Sequence, residues 1–187
     1  MDDYQVEEEI NVEVKPKKPK GKRDDFLFGL FQDILLSLII IIILINFVAI
    51  PVRVDGTSMY PNLKDGDFGF SGIFTKRLGL ERFDVVVIDS SKTEDRIVKR
   101  IIGLPGETVT YKDNQLYIDG EAIEETFISD DVYTENFTIT LGEDEYFVMG
   151  DNRTVSRDSR YYGPFSSSEI IAKSILTLWP LSSFGFD

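Results

Sequence analysis

One serine, one strand lysine and one polar loop carry the chemistry that this chain offers. Ser58 lies in Val54-Asp55-Gly56-Thr57-Ser58-Met59-Tyr60-Pro61-Asn62-Leu63, where Gly56 permits a tight backbone and Pro61 stiffens the following turn. Such a turn presents a hydroxyl without activating it. Activation needs a base, and the chain has no histidine and no cysteine. Ser-His-Asp and Cys-His machinery, histidine zinc sites, thiol nucleophiles and disulfides are therefore excluded. Lysine is the natural base that remains. It is useless near its ordinary pKa of about 10.4, but burial among apolar groups disfavours the ammonium and lowers that value.

The lysine to look for lies in a strand among aliphatic residues. Arg96-Ile97-Val98-Lys99-Arg100-Ile101-Ile102 fits best. Alternation with period two puts Ile97, Lys99 and Ile101 on one face. Arg100 cannot serve, because a guanidinium stays protonated. The plainer reading is that Lys99 points outward from an edge strand. Lys64, Lys76, Lys92, Lys112 and Lys173 stand in more polar or turn-rich surroundings and read as solvated. The third cluster runs from Gly150 to Arg160, after Tyr146-Phe147-Val148-Met149. It reads either as a solvated ion-pair loop or as a set of groups that orient a neutral lysine.

These residues need a scaffold. The chain has 187 residues and a formal net charge of −13, enough for one anchored domain and wrong in sign for a nucleic-acid binder. Residues 1–25 form an acidic and then a basic block (Lys15 to Arg23) with Pro and Gly, expected to be a solvated cytoplasmic tail. Residues 26–50 are apolar apart from Gly29, Gln32, Asp33, Ser37 and Asn46, long enough for a transmembrane helix. The basic block on its amino-terminal flank places the tail inside the cell and residues 51–187 outside, in an extracytoplasmic domain. Beyond Pro51 the pattern is all-β: 85–88, 97–102, 108–111, 116–118, 137–141, 145–149 and 170–179 favour strands. Asp113-Asn114, Asp119-Gly120 and Leu104-Pro105-Gly106 mark turns. The aromatic segment 68–74 is read either as a lipid-dipping surface or as part of a core strand pair.

Three blocks then stand in order: Gly56-Thr57-Ser58-Met59-Tyr60-Pro61, Val98-Lys99-Arg100-Ile101-Ile102-Gly103-Leu104-Pro105-Gly106-Glu107, and Gly150-Asp151-Asn152-Arg153 through Ser156, Asp158, Ser159 and Arg160. A weaker one is Phe83-Asp84-Val85-Val86-Val87. Together, behind an amino-terminal anchor, they resemble the bacterial type I signal peptidases, in the shorter form usual in Gram-positive bacteria. The resemblance implies a plasma-membrane serine endopeptidase with an antiparallel β-sheet catalytic domain.

By the resemblance, Ser58 is the nucleophile and Lys99 the general base. Ser156 orients Lys99, and Asp151–Arg100 and Asp158–Arg160 are ion pairs near the site. The Ser58 N–H donates to the oxyanion. Some relatives add a serine donor two positions before the nucleophile, and Gly56 stands there in this chain. Val52, Val54, Leu63, Ile97 and Val98 are the implied walls of shallow substrate pockets, with ordinary core as their alternative reading. The implied partners are preproteins with signal peptides, membrane lipid and the protein export machinery. No metal or cofactor enters this chemistry. Two rivals remain: a self-cleaving repressor with the same Ser-Lys chemistry, and a catalytically silent anchored module that binds exported peptides.

Overall fold

The protein is described here by a computed structural model covering residues 22–73, 79–128 and 132–186. Most of the expected tail, Lys76 and the last residue of the 68–74 segment lie outside the described residues.

Helix α1 spans Lys22–Val48. Its 27 residues rise about 40 Å, more than the roughly 30 Å of a bilayer's hydrocarbon. The window Phe26–Ile43 has a mean hydropathy of 2.6 and is long and apolar enough to cross a membrane. Ala49 and Ile50, which continue the apolar run in sequence, belong instead to the first strand.

The remainder is antiparallel β structure, as its alternating runs predict. Strands β1 (Ala49–Arg53), β2 (Phe68–Gly72), β3 (Val85–Ile88) and β4 (Ile97–Gly103) lead to β5 (Thr108–Lys112), β6 (Gln115–Ile118) and β7 (Glu121–Ile123). Then come β8 (Phe137–Thr140), β9 (Glu145–Met149), the one-turn helix α2 (Ser159–Tyr162), β10 (Phe165–Ser166), β11 (Ile170–Trp179) and β12 (Gly185–Phe186). One sheet has the order β1-β2-β11-β3-β4-β9-β10, with β12 on β11; the other is β7-β6-β5-β8. Pro51 lacks an N–H and is tolerated because β1 is an edge strand.

Within the aromatic segment, residues 68–72 form strand β2 between β1 and β11, with Gly69 and Ser71 buried and Phe68 exposed. Asp113 and Asn114 both have positive φ (52° and 64°), as do Asp119 and Gly120 (51° and 86°). These are the dihedral signs of two-residue hairpin turns that match strand twist.

The unbroken run Val85-Val86-Val87-Ile88 is explained by cover on both faces. Val85 and Val87 enter a cluster with Val52, Val54, Met59, Leu63, Ala172 and Ile175. Val86 and Ile88 enter another with Ile101, Val148, Phe165 and Ile170. A strand buried on both sides has no polar face to alternate. A third cluster, including Ile102, Val109, Tyr111, Leu116, Phe147 and Met149, joins the two sheets. Gly103 ends β4 there because a Cβ would come within 2.4 Å of Val109 Cγ2.

Candidate active site

Strand β4 pairs with β3 so that Lys99 faces Val86 and Arg100 faces Val85. Directly opposed residues share a face, so Lys99 lies on the side of Val86. Ile97 and Ile101 pack into that same cluster, as period-two alternation requires. Lys99 is 4% exposed, so it does not point outward from the sheet. Its Nζ lies 2.7 Å from Ser58 Oγ and donates also to the Val98 carbonyl at 2.9 Å. Burial lowers the amine's pKa from 10.5 to about 8, against the opposing charges of Asp158 and Asp151. Ser58 itself is half-buried. A neutral amine, in contact with a hydroxyl, is therefore a minor species at pH 7 and well populated at mildly alkaline pH.

The other lysines divide differently from expectation. Lys64, Lys92 and Lys112 are exposed, but Lys173 is partly buried and pairs with Asp84 at 2.9 Å. Strand β11 carries Lys173 opposite Val86 of β3.

The loop after β9 closes over this pair. Asp151 is 1% exposed and receives two bonds from Arg100, Nε at 2.8 Å and Nη2 at 2.7 Å. Asp158 accepts from Arg160 Nε at 2.9 Å and Nη2 at 2.8 Å, and from the Gly150 N–H at 3.0 Å. Burial raises the Asp158 pKa, but the Arg160 hydrogen bonds and charge outweigh it and hold the carboxyl below its ordinary value. Both ion pairs named from sequence are formed.

Ser156 differs. Its buried Oγ makes no well-formed hydrogen bond among the described residues, to Lys99 or to any other group. It lies near enough to Asp158 to contribute to the lowered carboxyl pKa, but without hydrogen-bond geometry. Lys99 instead spends its bonds on Ser58 and its own strand.

The loop touches Ser58 directly. The Asn152 N–H donates to the Ser58 carbonyl at 3.0 Å. A Cβ on Gly150 would fall 2.4 Å from that carbonyl oxygen and 2.3 Å from Ser156 Oγ. The Gly56 N–H is committed to Asp65 Oδ1 at 2.7 Å, whereas the Ser58 N–H has no acceptor among the described residues.

A cleft of about 610 Å³ opens beside the Ser58–Lys99 contact, and Val54, Met59, Ile97 and Val98 form its apolar lining. Val52 and Leu63, expected as walls, do not line it. They are buried in the cluster that contains Val54 and Met59. All four are buried in one cluster, and only packing decides which of its members reach the cleft; Met59 was missed for the same reason.

Sequence reasoning also missed a buried triad that Arg153 of this loop forms with Tyr111 and Glu125. Arg153 donates to Glu125 Oε1 at 2.5 Å, to the Tyr111 hydroxyl, and through Nε to the Gly150 carbonyl at 3.0 Å. The Tyr111 hydroxyl in turn donates to Glu125, and burial pushes its pKa up. The Arg153 side chain is fully buried. Removing one partner of such a pair strands a charge, so Glu125→Ala should cost about 3–5 kcal/mol in urea unfolding. An unchanged unfolding midpoint would show that Arg153 is not held this way. The only clue in sequence was an arginine inside a polar motif, with nothing to name a partner 28 residues away.

An antiparallel β domain that sets a buried amine against a serine hydroxyl beside an open cleft is an arrangement suited to a peptidase. Residues 27–179 match the family described as "Signal peptidase, peptidase S26", and the chain belongs to that family. It is 32% identical to a signal peptidase I of Streptococcus pneumoniae, over 72% of this chain and 84% of that protein. It is 34% identical to a signal peptidase IB of Staphylococcus aureus, over 82% and 90%. A crystal structure of a signal peptidase I from Enterococcus faecalis is 38% identical, covering 51% of this chain and 96% of its own, with a TM-score of 0.47. The chain is accordingly a hydrolase of the signal peptidase I type.

Proposed function

We propose that this chain is a membrane-anchored serine endopeptidase that removes amino-terminal signal peptides from exported preproteins, with Ser58 as nucleophile and Lys99 as general base. The observation that carries the reading is the 2.7 Å contact between a lysine held at a pKa of about 8 and the Ser58 hydroxyl. Neutral Lys99 takes the Ser58 proton as Oγ bonds to the scissile carbonyl carbon. The peptide C–N bond breaks as Lys99 returns the proton to the leaving amine. Water, deprotonated by the same amine, then hydrolyses the ester and restores Ser58. The free Ser58 N–H is the donor available to the oxyanion. Asp151–Arg100 and Asp158–Arg160 hold the loop around the amine. Ser156, whose hydroxyl makes no well-formed hydrogen bond among the described residues, orients Lys99 when the contact to Ser58 breaks during turnover.

The peptide enters as an added strand, its alternate small side chains against Val54, Met59, Ile97 and Val98. Helix α1 anchors the protein in lipid, with the basic residues before it on the cytoplasmic side and residues 51–187 outside, where the export machinery delivers the substrate.

The test is cleavage of a preprotein by the full-length protein across pH 6 to 10. A protonated amine cannot accept the serine proton, so kcat/KM should rise with pH through a midpoint near 8. Cutting should occur at one site after a small residue. Binding without cleavage at any pH would identify a silent module, and a flat profile would remove Lys99 from the mechanism.

A further inference from the structure

We propose that Asn62 is a positioning residue, whose side-chain amide fastens the turn carrying Ser58 to the Asp151 carboxylate and so sets the distance between Ser58 and Lys99. The inference rests on the reading of Ser58 and Lys99 as nucleophile and base.

Those two residues lie 41 positions apart, one in the turn before β2 and the other in β4. Their alignment therefore needs a group that grips both segments. Asp151 is that group. On one side its two oxygens take Arg100 Nε and Nη2, immediately after Lys99. On the other, its Oδ2 accepts from Asn62 Nδ2 at 2.8 Å. Asn62 Nδ2 donates also to the Phe127 carbonyl at 2.8 Å, so both of its amide hydrogens are committed.

The assembly around it is closed. Arg100 Nη1 donates to the Phe83 carbonyl at 2.9 Å, and its guanidinium lies 4.3 Å from the centre of the Phe127 ring. The Phe83 and Phe127 rings stand 4.9 Å apart. The next loop residue secures the other end of the turn, through the Asn152 N–H on the Ser58 carbonyl. Two adjacent loop residues thus pin the turn at Ser58 and at Asn62. Of the two, only the Asn62 attachment runs through the carboxylate that also holds the base strand.

The amide chemistry is specific. Serine at this position keeps one donor, alanine keeps none, and aspartate keeps the shape but turns an acceptor toward Asp151. A purely structural asparagine would instead lower stability without a selective effect on turnover.

The test uses the full-length protein in detergent micelles with a synthetic signal-peptide substrate, comparing the parent with Asn62→Ser, Asn62→Ala and Asn62→Asp. Each kcat is corrected for the folded fraction measured by thermal unfolding under assay conditions. Displacement of the nucleophile should lower kcat about 10- to 100-fold in Asn62→Ala, less in Asn62→Ser and most in Asn62→Asp. KM should stay within about twofold, since the cleft is untouched. The proposal is overturned if corrected kcat fails to follow donor number, if it stays within about twofold of the parent in Asn62→Ala, or if the loss lies in KM. Should Asn62→Asp not fold, the serine and alanine variants decide. Ser58→Ala, run alongside, separates the two readings. Activity in that variant removes the nucleophile assignment itself, whereas an inactive Ser58→Ala beside a normal Asn62→Ala removes only the positioning role.

Discussion

Replacing Lys99 with methionine should abolish peptide cleavage and make the folded domain more stable. Loss of the proposed general base should lower turnover by about 10²- to 10⁴-fold, and no other described lysine contacts Ser58 to replace it. The stability gain follows from the same burial. A lysine whose folded pKa lies below its unfolded one is most costly when protonated in both states. That cost is full below pH about 8, falls as pH rises from there, and is gone above the ordinary lysine value of 10.5. Methionine has a similar length and no charge to desolvate. At pH 7 the gain should approach roughly 3 kcal/mol in urea unfolding, shrinking by about half near pH 9.5. A domain destabilised at pH 7 would contradict the view that Lys99 is held against its own preference. The price of a neutral amine would then lie elsewhere in the fold.

Gly150→Ala should be nearly as damaging, although it removes no functional group. The backbone there is not in the left-handed region, so conformational strain is not the issue. The difficulty is space, since the new methyl would sit 2.4 Å from the Ser58 carbonyl and 2.6 Å from Ser156 Cβ. The Ser58 oxygen is backbone, already bonded to the Asn152 N–H, and cannot swing aside as a flexible side chain would. Relief requires the nucleophile turn and the loop to separate by about 1 Å, enough to lower kcat roughly 10²-fold. Gly56→Ala is the contrasting case. Gly56 has φ +88° but nothing within 4 Å of a built Cβ, so its cost is about 1–2 kcal/mol of backbone strain, read in stability and not through collision with Ser58. Steady-state kinetics and unfolding of the two variants side by side separate crowding from strain. Equal kcat values for both would mean that the loop yields around Gly150.

Much of this protein was legible before any coordinates. The absence of histidine made lysine the expected partner of Ser58, and aliphatic alternation selected Lys99 among the candidates. The hairpin turns were legible because Asp-Asn and Asp-Gly meet a local dihedral demand. What was misread or missed concerns boundaries and partners. Ala49 and Ile50 look like the end of an apolar helix, because hydrophobicity does not distinguish the last helical turn from a paired strand. Strands β10 and β12, two residues each, leave no periodicity to detect. Val52 and Leu63 were assigned to a pocket wall because an apolar residue near a nucleophile has the same composition whether it faces the cleft or the core.

Local chemistry alone therefore sufficed to single out Ser58 and Lys99 as the proposed pair, and for the β class and the turns, each of which depends on residue type and near-neighbour spacing. Only the folded chain decided that Lys99 faces inward, that Ser156 does not bond to Lys99, and that Asp151 joins Asn62 to Arg100. Those outcomes depend on which strands pair and how a loop closes over them. They are set by packing between residues 40 to 90 positions apart, about which spacing along the chain carries no information.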